Sequence, residues 1–136
     1  MTGRAREGLL YEDLTRQIIG AAMEVHRELG PGFMEKAYEN ALFIELNSRN
    51  IPIQIQQPVT VKYKGHTVSE HILDVLVDGK VVLELKAVDQ LDKIHEAQLI
   101  AYLKTTKCKI GLLINFAKES LEWKRIMLKD QFEQRD

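Results

Sequence analysis

Apolar side chains at Leu14, Ile18, Ala22, Val25 and Leu29 recur at helical spacing, which predicts an amphipathic α-helix from about Tyr11 onward. Gly30-Pro31-Gly32 stops it, because glycine suits a helix C-cap and proline disfavours helical geometry in the residue before it. A second helix is expected from near Phe33 to about Asn47, with Ala37, Ala41, Leu42 and Leu46 on one side. The two read as a helix pair joined by a tight turn. From Ile53 to Tyr63 the pattern becomes alternating and rich in β-branched residues, with Pro58 pointing to an edge strand or an irregularity. Lys64-Gly65-His66 reads as a turn, and Val68–Val77 and Lys80–Ala87 as two further strands joined at Asp78-Gly79. Helical spacing returns over Leu91–Leu103, with Ile94, Ala97 and Ala101 in step. Lys109–Phe116 is nearly all apolar, as a strand buried on both faces would be. A last helix is expected over Lys118–Phe132, carrying Leu121, Ile126 and Leu128 among many charges. Helices flanking a mixed β-sheet, an α/β architecture, follow from this order.

The hairpin around Asp78-Gly79 carries more information. In Val81–Ala87 the odd positions are all apolar, so Glu84 and Lys86 project together from the other face. Leu73, Val75 and Val77 form the matching odd set of the preceding strand, leaving Asp74 on the even face. Both odd sets meet one core only if the loop holds an odd number of residues. A three-residue loop with Gly79 in the left-handed conformation satisfies this, whereas a two-residue loop puts Asp74 and Glu84 on opposite faces. Hard carboxylate oxygens so placed suit Mg²⁺ or Mn²⁺, which would lower the pKa of a bound water, and Lys86 would position that water or offset phosphate charge. Spacing alone favours a plainer account, a solvent-exposed strand face on which Glu84 and Lys86 form an ion pair.

The chain's 136 residues suffice for one domain with a buried core, and no repeat, low-complexity tract or linker divides it. The expectation is therefore one domain over 1–136 with its core at about 11–130. Apolar residues at 45% and charged residues at 29% exclude a disordered chain. No apolar run is long enough to span a bilayer, and Met1–Gly8 lacks the apolar stretch a signal peptide needs. With Cys108 as the only cysteine, no internal disulfide can form, and a cytoplasmic location is expected. The 19 basic and 20 acidic side chains leave a net charge of −1, so any basic surface for nucleic acid must be local.

Asp74, then Glu84-Leu85-Lys86 at the end of the next strand, then a helix, resembles the PD-(D/E)XK nuclease superfamily. Within it, Gly32-Phe33-Met34-Glu35-Lys36-Ala37-Tyr38 is similar to the signature of the small GxxExxY family. So are Val25–Gly32, Tyr63-Lys64-Gly65, Glu96–Leu103 and Gly111–Phe116, in the family's order. The superfamily's eponymous proline is absent, since Leu73 precedes Asp74. The resemblance covers roughly Leu14 to Ile126 and implies a restriction-endonuclease-like fold. It implies Asp74 and Glu84 as ligands of Mg²⁺ (or Mn²⁺), and Lys86 as the residue assisting the nucleophile. Glu35 is implied as a further acidic catalytic group and Gln98 as a catalytic residue, with Tyr102 binding substrate in the same cleft, where both Gln98 and Tyr102 would touch substrate or backbone phosphate. Metal-dependent hydrolysis of phosphodiester bonds in DNA, with RNA as second choice, is the activity implied. A non-catalytic member of the fold, serving as a binding module, is the alternative, and a metal hydrolase of some other substrate is a third reading. A homodimer is expected only on the ground that so small a domain often needs a second subunit to grip a duplex.

Other residues receive plainer readings. His26, near the end of the first helix, is expected to interact with that helix's C-terminus in preference to assisting the site, His66 to lie in solvent, and His71 and His95 to lack ligand spacing. Tyr38 and Cys108 are expected to pack, and Trp123 to hold the last helix on the sheet. Lys104, Lys107 and Lys109 are expected to be solvated.

Overall fold

The computed structural model describes residues 10–129, so the reading of Met1–Gly8 and the expected helix beyond Lys129 lie outside the described residues. The chain runs through α1 (Glu12–Leu29), α2 (Glu35–Ser48), β1 (Ile53–Tyr63), β2 (His66–Val77), β3 (Val81–Lys86), α3 (Lys93–Thr106), β4 (Ile110–Asn115) and β5 (Glu122–Met127). The strands form one sheet in the order β1-β2-β3-β4-β5. Only β3 and β4 pair in parallel, with α3 as the connection between them; the other neighbours are antiparallel.

Gly30, at φ 70, ends α1 with its N–H bonded to the His26 carbonyl at 2.7 Å, and Pro31 keeps the helix from resuming. The stripe Ile18, Ala22 and Val25 of α1 then packs with Tyr38, Leu42 and Leu46 of α2 against one sheet face. That face is made by the odd residues of β3 (Val81, Leu83, Leu85) and the even ones of β4 (Ile110, Leu112, Ile114). The opposite face, with Val82 and Leu113, is covered by Leu99, Tyr102 and Leu103 of α3. Strands β3 and β4 therefore serve two cores at once, which is why β4 reads as an unbroken apolar run. At Gly111 an added Cβ would come within 2.8 Å of Leu99 Cδ1, so α3 sits directly on the β4 backbone.

Three expectations need correction. The segment after Lys118 is not a helix: β5 pairs along β4, from Ile110 opposite Met127 to Asn115 opposite Glu122. Leu121 packs into the α1–α2 core, while Ile126 and Leu128 pack on the α3 side. These residues thus split between the two sides of a sheet instead of forming one helical face. Trp123, 43% exposed, lies on this edge strand and holds no helix. In α3 the helix is where the spacing predicts it, but Ile94, Ala97 and Ala101 face solvent, Ile94 at 69% exposure.

The third correction concerns β2. Val75 and Val77 lie in the α1–α2 core, yet Leu73 lies in the α3 cluster. Gln56, at φ 55, explains the change: the β1–β2 ladder pairs Ile55 with Val75 and Gln57 with Leu73, skipping Gln56 opposite Asp74. A left-handed residue inside a strand reverses which side the following side chains take. Ile53 and Ile55 accordingly face one core, and Val59 the other.

Candidate active site

The β2–β3 turn has the length that the apolar pattern demands. Val77 pairs with Val81, leaving Asp78, Gly79 and Lys80 in the loop. Gly79 takes φ 65, and Asp78 is left-handed as well, at φ 53. The ladder beyond stops at Val75 opposite Leu83, one pair short of Asp74 and Glu84. There the Asp74 carboxylate takes over, its Oδ2 accepting the Leu85 N–H at 3.3 Å.

Glu84 is 4% exposed, and its Oε1 is buried with no hydrogen-bond partner. Its Oε2 lies 3.8 Å from Lys86 Nζ. Burial, and then the neighbouring Asp74 charge, push the Glu84 carboxyl up to about 7, while Lys86 opposes the rise and Glu35 adds to it. Asp74 is also raised, first by burial, against the Leu85 N–H and Lys86, with the charges of Glu39 and Glu35 adding. The Tyr102 hydroxyl is raised by burial and by the charge of Glu84, against its bond with Gln98, with Asp74 adding.

Helix α2 begins at Glu35, whose Oε2 accepts the Ala87 N–H at 3.3 Å, so the helix start is tied to the end of β3. From α3, Gln98 Nε2 donates to Tyr102 Oη at 3.4 Å, one helical turn away. Asp74, Glu84, Lys86 and Glu35 thus lie near one another at the end of β3, with Tyr102 close enough for its hydroxyl to feel Glu84 and Asp74, and with the exposed Gln98 joined to the group through Tyr102. Tyr38 is structural, as expected: it is buried, donates to the Gly30 carbonyl at 2.6 Å and stacks on Phe116 at 4.5 Å. His26 departs from expectation, since its buried ring bonds through Nε2 to the Lys118 carbonyl at 2.7 Å. His95 belongs to the α3 capping box with Asp92.

Sequence reasoning missed three residues. Glu39 is buried and is held by Lys36 at 3.1 Å and by Gln56. An acid in the Glu39, Leu42, Leu46 stripe of α2 was the available signal. Gln56 had none, because its left-handed backbone is not encoded by glycine. Asn115, fully buried at the end of β4, accepts the Val88 N–H at 3.0 Å and donates to the Val88 carbonyl at 2.8 Å. It thereby clamps the loop that follows Lys86.

Among the described residues, no group of three or more His, Cys, Asp or Glu side chains is arranged to hold a metal ion. Two carboxylates do suit Mg²⁺, which commonly binds one or two of them and keeps several waters. The buried, unpartnered Glu84 Oε1 beside Asp74 is an acceptor that a hard cation would satisfy. Among the described residues, no helix is long and apolar enough to cross a membrane.

Comparison with known proteins agrees with this architecture. Structural similarity extends to SSO0001, at a TM-score of 0.55 and 18% identity over 74% of this chain and 54% of that one. It extends also to an alkaline exonuclease (LHK-Exo) from Laribacter hongkongensis, at a TM-score of 0.51 and 11% identity over 74% of this chain and 58% of that one. At these identities the likeness is one of fold, and the matched part of this chain spans little more than half of either structure. No curated protein sequence matches this one. The family profile described as the PD-(D/E)XK nuclease superfamily matches residues 12–126, and together with the mixed five-stranded sheet and its flanking helices this establishes that the chain belongs to that superfamily.

Proposed function

We propose that the protein is a Mg²⁺- or Mn²⁺-dependent nuclease that hydrolyses phosphodiester bonds in DNA, with RNA the second substrate to test. The observation that carries this reading is Glu84, a buried carboxylate with an unpartnered oxygen, set beside Asp74 and Lys86. Asp74 and Glu84 would hold the cation. When bound, it would supply charge stabilisation at the phosphate and a water of lowered pKa. Lys86 carries its charge next to Glu84, where it would orient the attacking water or offset charge gathering on the phosphate. Glu35, tied to Ala87, brings a third carboxylate to the same end of β3. Gln98 and Tyr102, linked to each other, would contact the substrate backbone from α3.

The segment Gly32–Tyr38 supports membership of the GxxExxY family, with Glu35 as its acidic residue and Tyr38 as its structural one. We read the chain as one domain and as a homodimer on a duplex, the latter checked by light scattering with and without DNA. Cys108, a free thiol among the described residues, fits a reducing cytoplasm.

The deciding experiment titrates Mg²⁺ and Mn²⁺ into wild type and Asp74→Ala by calorimetry, while following cleavage of single- and double-stranded DNA and of RNA. Metal binding and cleavage that both disappear in the variant support the enzyme. Wild type that binds no metal and cleaves nothing refutes it, and would favour a non-catalytic binding module, to which the net charge of −1 already lends weight.

A further inference from the structure

Strands β1 and β2 are longer than the sheet they join. Strand β3 pairs with β2 only over Val75–Val77, so Gln57–Ile72 continues as a two-stranded arm past the end of β3 that carries Glu84 and Lys86. At about 3.3 Å per residue, its tip reaches roughly 25 Å beyond Asp74. One face of its base is anchored: Val59 packs in the α3 cluster, and His71, directly opposite Val59, lies with its ring 5.9 Å from that of Tyr102. The arm thereby starts against the candidate active site. Beyond the irregularity at Val61/Lys62, every residue from Lys62 to Val68 is exposed, and Lys64 and Gly65, both left-handed, form the tip.

The charge of this arm differs from that of the rest of the chain. Acids slightly outnumber bases overall, yet no Asp or Glu occurs from Leu46 to Ser69. The tip reads Lys62-Tyr63-Lys64-Gly65-His66, with Lys64 Nζ 5.4 Å from the centre of the Tyr63 ring. The arm's single acid, Glu70, lies opposite Thr60, on the face away from His71. Among the described residues, neither Lys62 nor Lys64 has a carboxylate ion-pair partner.

The geometry points to the arm as a backbone clamp for double-stranded DNA, with Lys62 and Lys64 on phosphates several nucleotides from the bond held at Asp74 and Glu84. This rests on the nuclease reading given above and adds to it a surface that sets how the duplex is held. Lysines on a ribbon tip meet phosphates as point charges, so the contact is independent of base sequence.

The test measures binding of a labelled duplex by fluorescence anisotropy in EDTA, so that no cleavage occurs, between about 50 and 200 mM salt, the range over which counterion release is read. Each neutralised phosphate contributes about 0.9 to the slope of log K against log salt. Relative to wild type, Lys62→Gln/Lys64→Gln is expected to bind on the order of tenfold more weakly, with a slope shallower by about 1.8. Lys62→Arg/Lys64→Arg is expected to keep both values, and melting curves check that each variant is folded. In parallel, Mn²⁺-supported hydrolysis of bis(4-nitrophenyl) phosphate, too small to reach the arm, should be unchanged by either double variant. Wild-type binding with the same slope in the Gln variant overturns the clamp and leaves the nuclease reading standing. Hydrolysis of the small diester without any duplex binding overturns the clamp and moves the substrate away from DNA. Loss of both activities in wild type refutes the nuclease reading itself.

Discussion

Gln56 Nε2 donates to both carboxylate oxygens of Glu39, at 3.1 and 3.2 Å, from a backbone position that is left-handed in mid-strand. The contact joins β1 to α2 beside Asp74, whose carboxyl feels the Glu39 charge. The unusual backbone and the hydrogen bond can be separated by mutation. Gln56→Ala and Gln56→Gly both remove the bond, but only glycine adopts φ 55 without strain. The glycine variant should therefore be the more stable by about 1 kcal/mol in urea unfolding. An alanine variant equal to or more stable than glycine would contradict the left-handed turn of the strand.

Glu84 links stability to pH. Its carboxyl is raised to about 7 in the folded chain, from an ordinary 4.5, so the folded form holds its proton more tightly than the unfolded one. The contribution of Glu84 to stability is therefore fully present below about 4.5 and is lost as pH rises through about 7, by up to ~3 kcal/mol. Asp74, also raised, adds a slope of the same sign. Glu84→Gln should flatten most of this slope and be more stable than wild type at pH 8 without metal. Adding Mg²⁺ or Mn²⁺ at pH 8 should raise the melting temperature of wild type but not of the variant. A wild type whose stability relative to Glu84→Gln climbs between pH 5 and 8 in EDTA would rule out the raised, buried carboxylate.

Lys86 offers a way to separate metal binding from catalysis. Its ammonium lies 3.8 Å from Glu84 and carries no ligand atom for a cation. Lys86→Met should lower DNA cleavage on the order of 10²–10³-fold while metal affinity is unchanged or tighter, since a positive neighbour has gone. Calorimetry beside single-turnover cleavage reads the two effects separately. Cleavage at the wild-type rate would remove Lys86 from the chemistry.

Gly111 tests how α3 is seated. A methyl group there meets Leu99 at 2.8 to 3.0 Å, within a fully buried contact. Gly111→Ala is expected to destabilise by about 1–3 kcal/mol as α3 is pushed from the sheet. Combined with Leu99→Ala, the pair should cost less than the sum of the two single substitutions, because the alanine at 99 vacates the clashing volume. Additive effects of the two substitutions in urea unfolding would show that the residues are not in contact.

Most of the fold was legible because several local signals agreed. The Gly30-Pro31-Gly32 stop, the apolar run of β4 and the odd-numbered loop at Asp78–Lys80 each correspond to an element of the structure. The grouping of Asp74, Glu84 and Lys86 followed from the parity of that loop. Strand β5 was not legible: an edge strand facing solvent can carry Glu122, Lys124 and Arg125, and its apolar residues mimic helical spacing only when their two sides are not distinguished. The switch at Gln56 was hidden because it depends on a left-handed conformation taken by a residue with no special preference for it. Glu39 did leave a local signal, its place in the Glu39, Leu42, Leu46 stripe, but the partner that compensates its burial lies seventeen residues away in the chain. Long-range compensation of this kind leaves little trace in a local pattern.

The reversal of side at Gln56 and Asp74 has a consequence for how the protein can vary. Below it, the β1–β2 hairpin belongs to the helical layer on one side of the sheet; above it, Val59 and Leu73 belong to the layer on the other. A single ribbon is thus stitched through the sheet, and peeling it away would loosen both layers in one cooperative event. Shortening it as far as Val59 would unseat the anchor of α3. Beyond Val61 and Ser69 no such constraint applies, so insertions there would change the reach of the arm while leaving the carboxylates where they are. Reach and chemistry can therefore diverge separately, with the boundary between them lying between Val59 and Lys62.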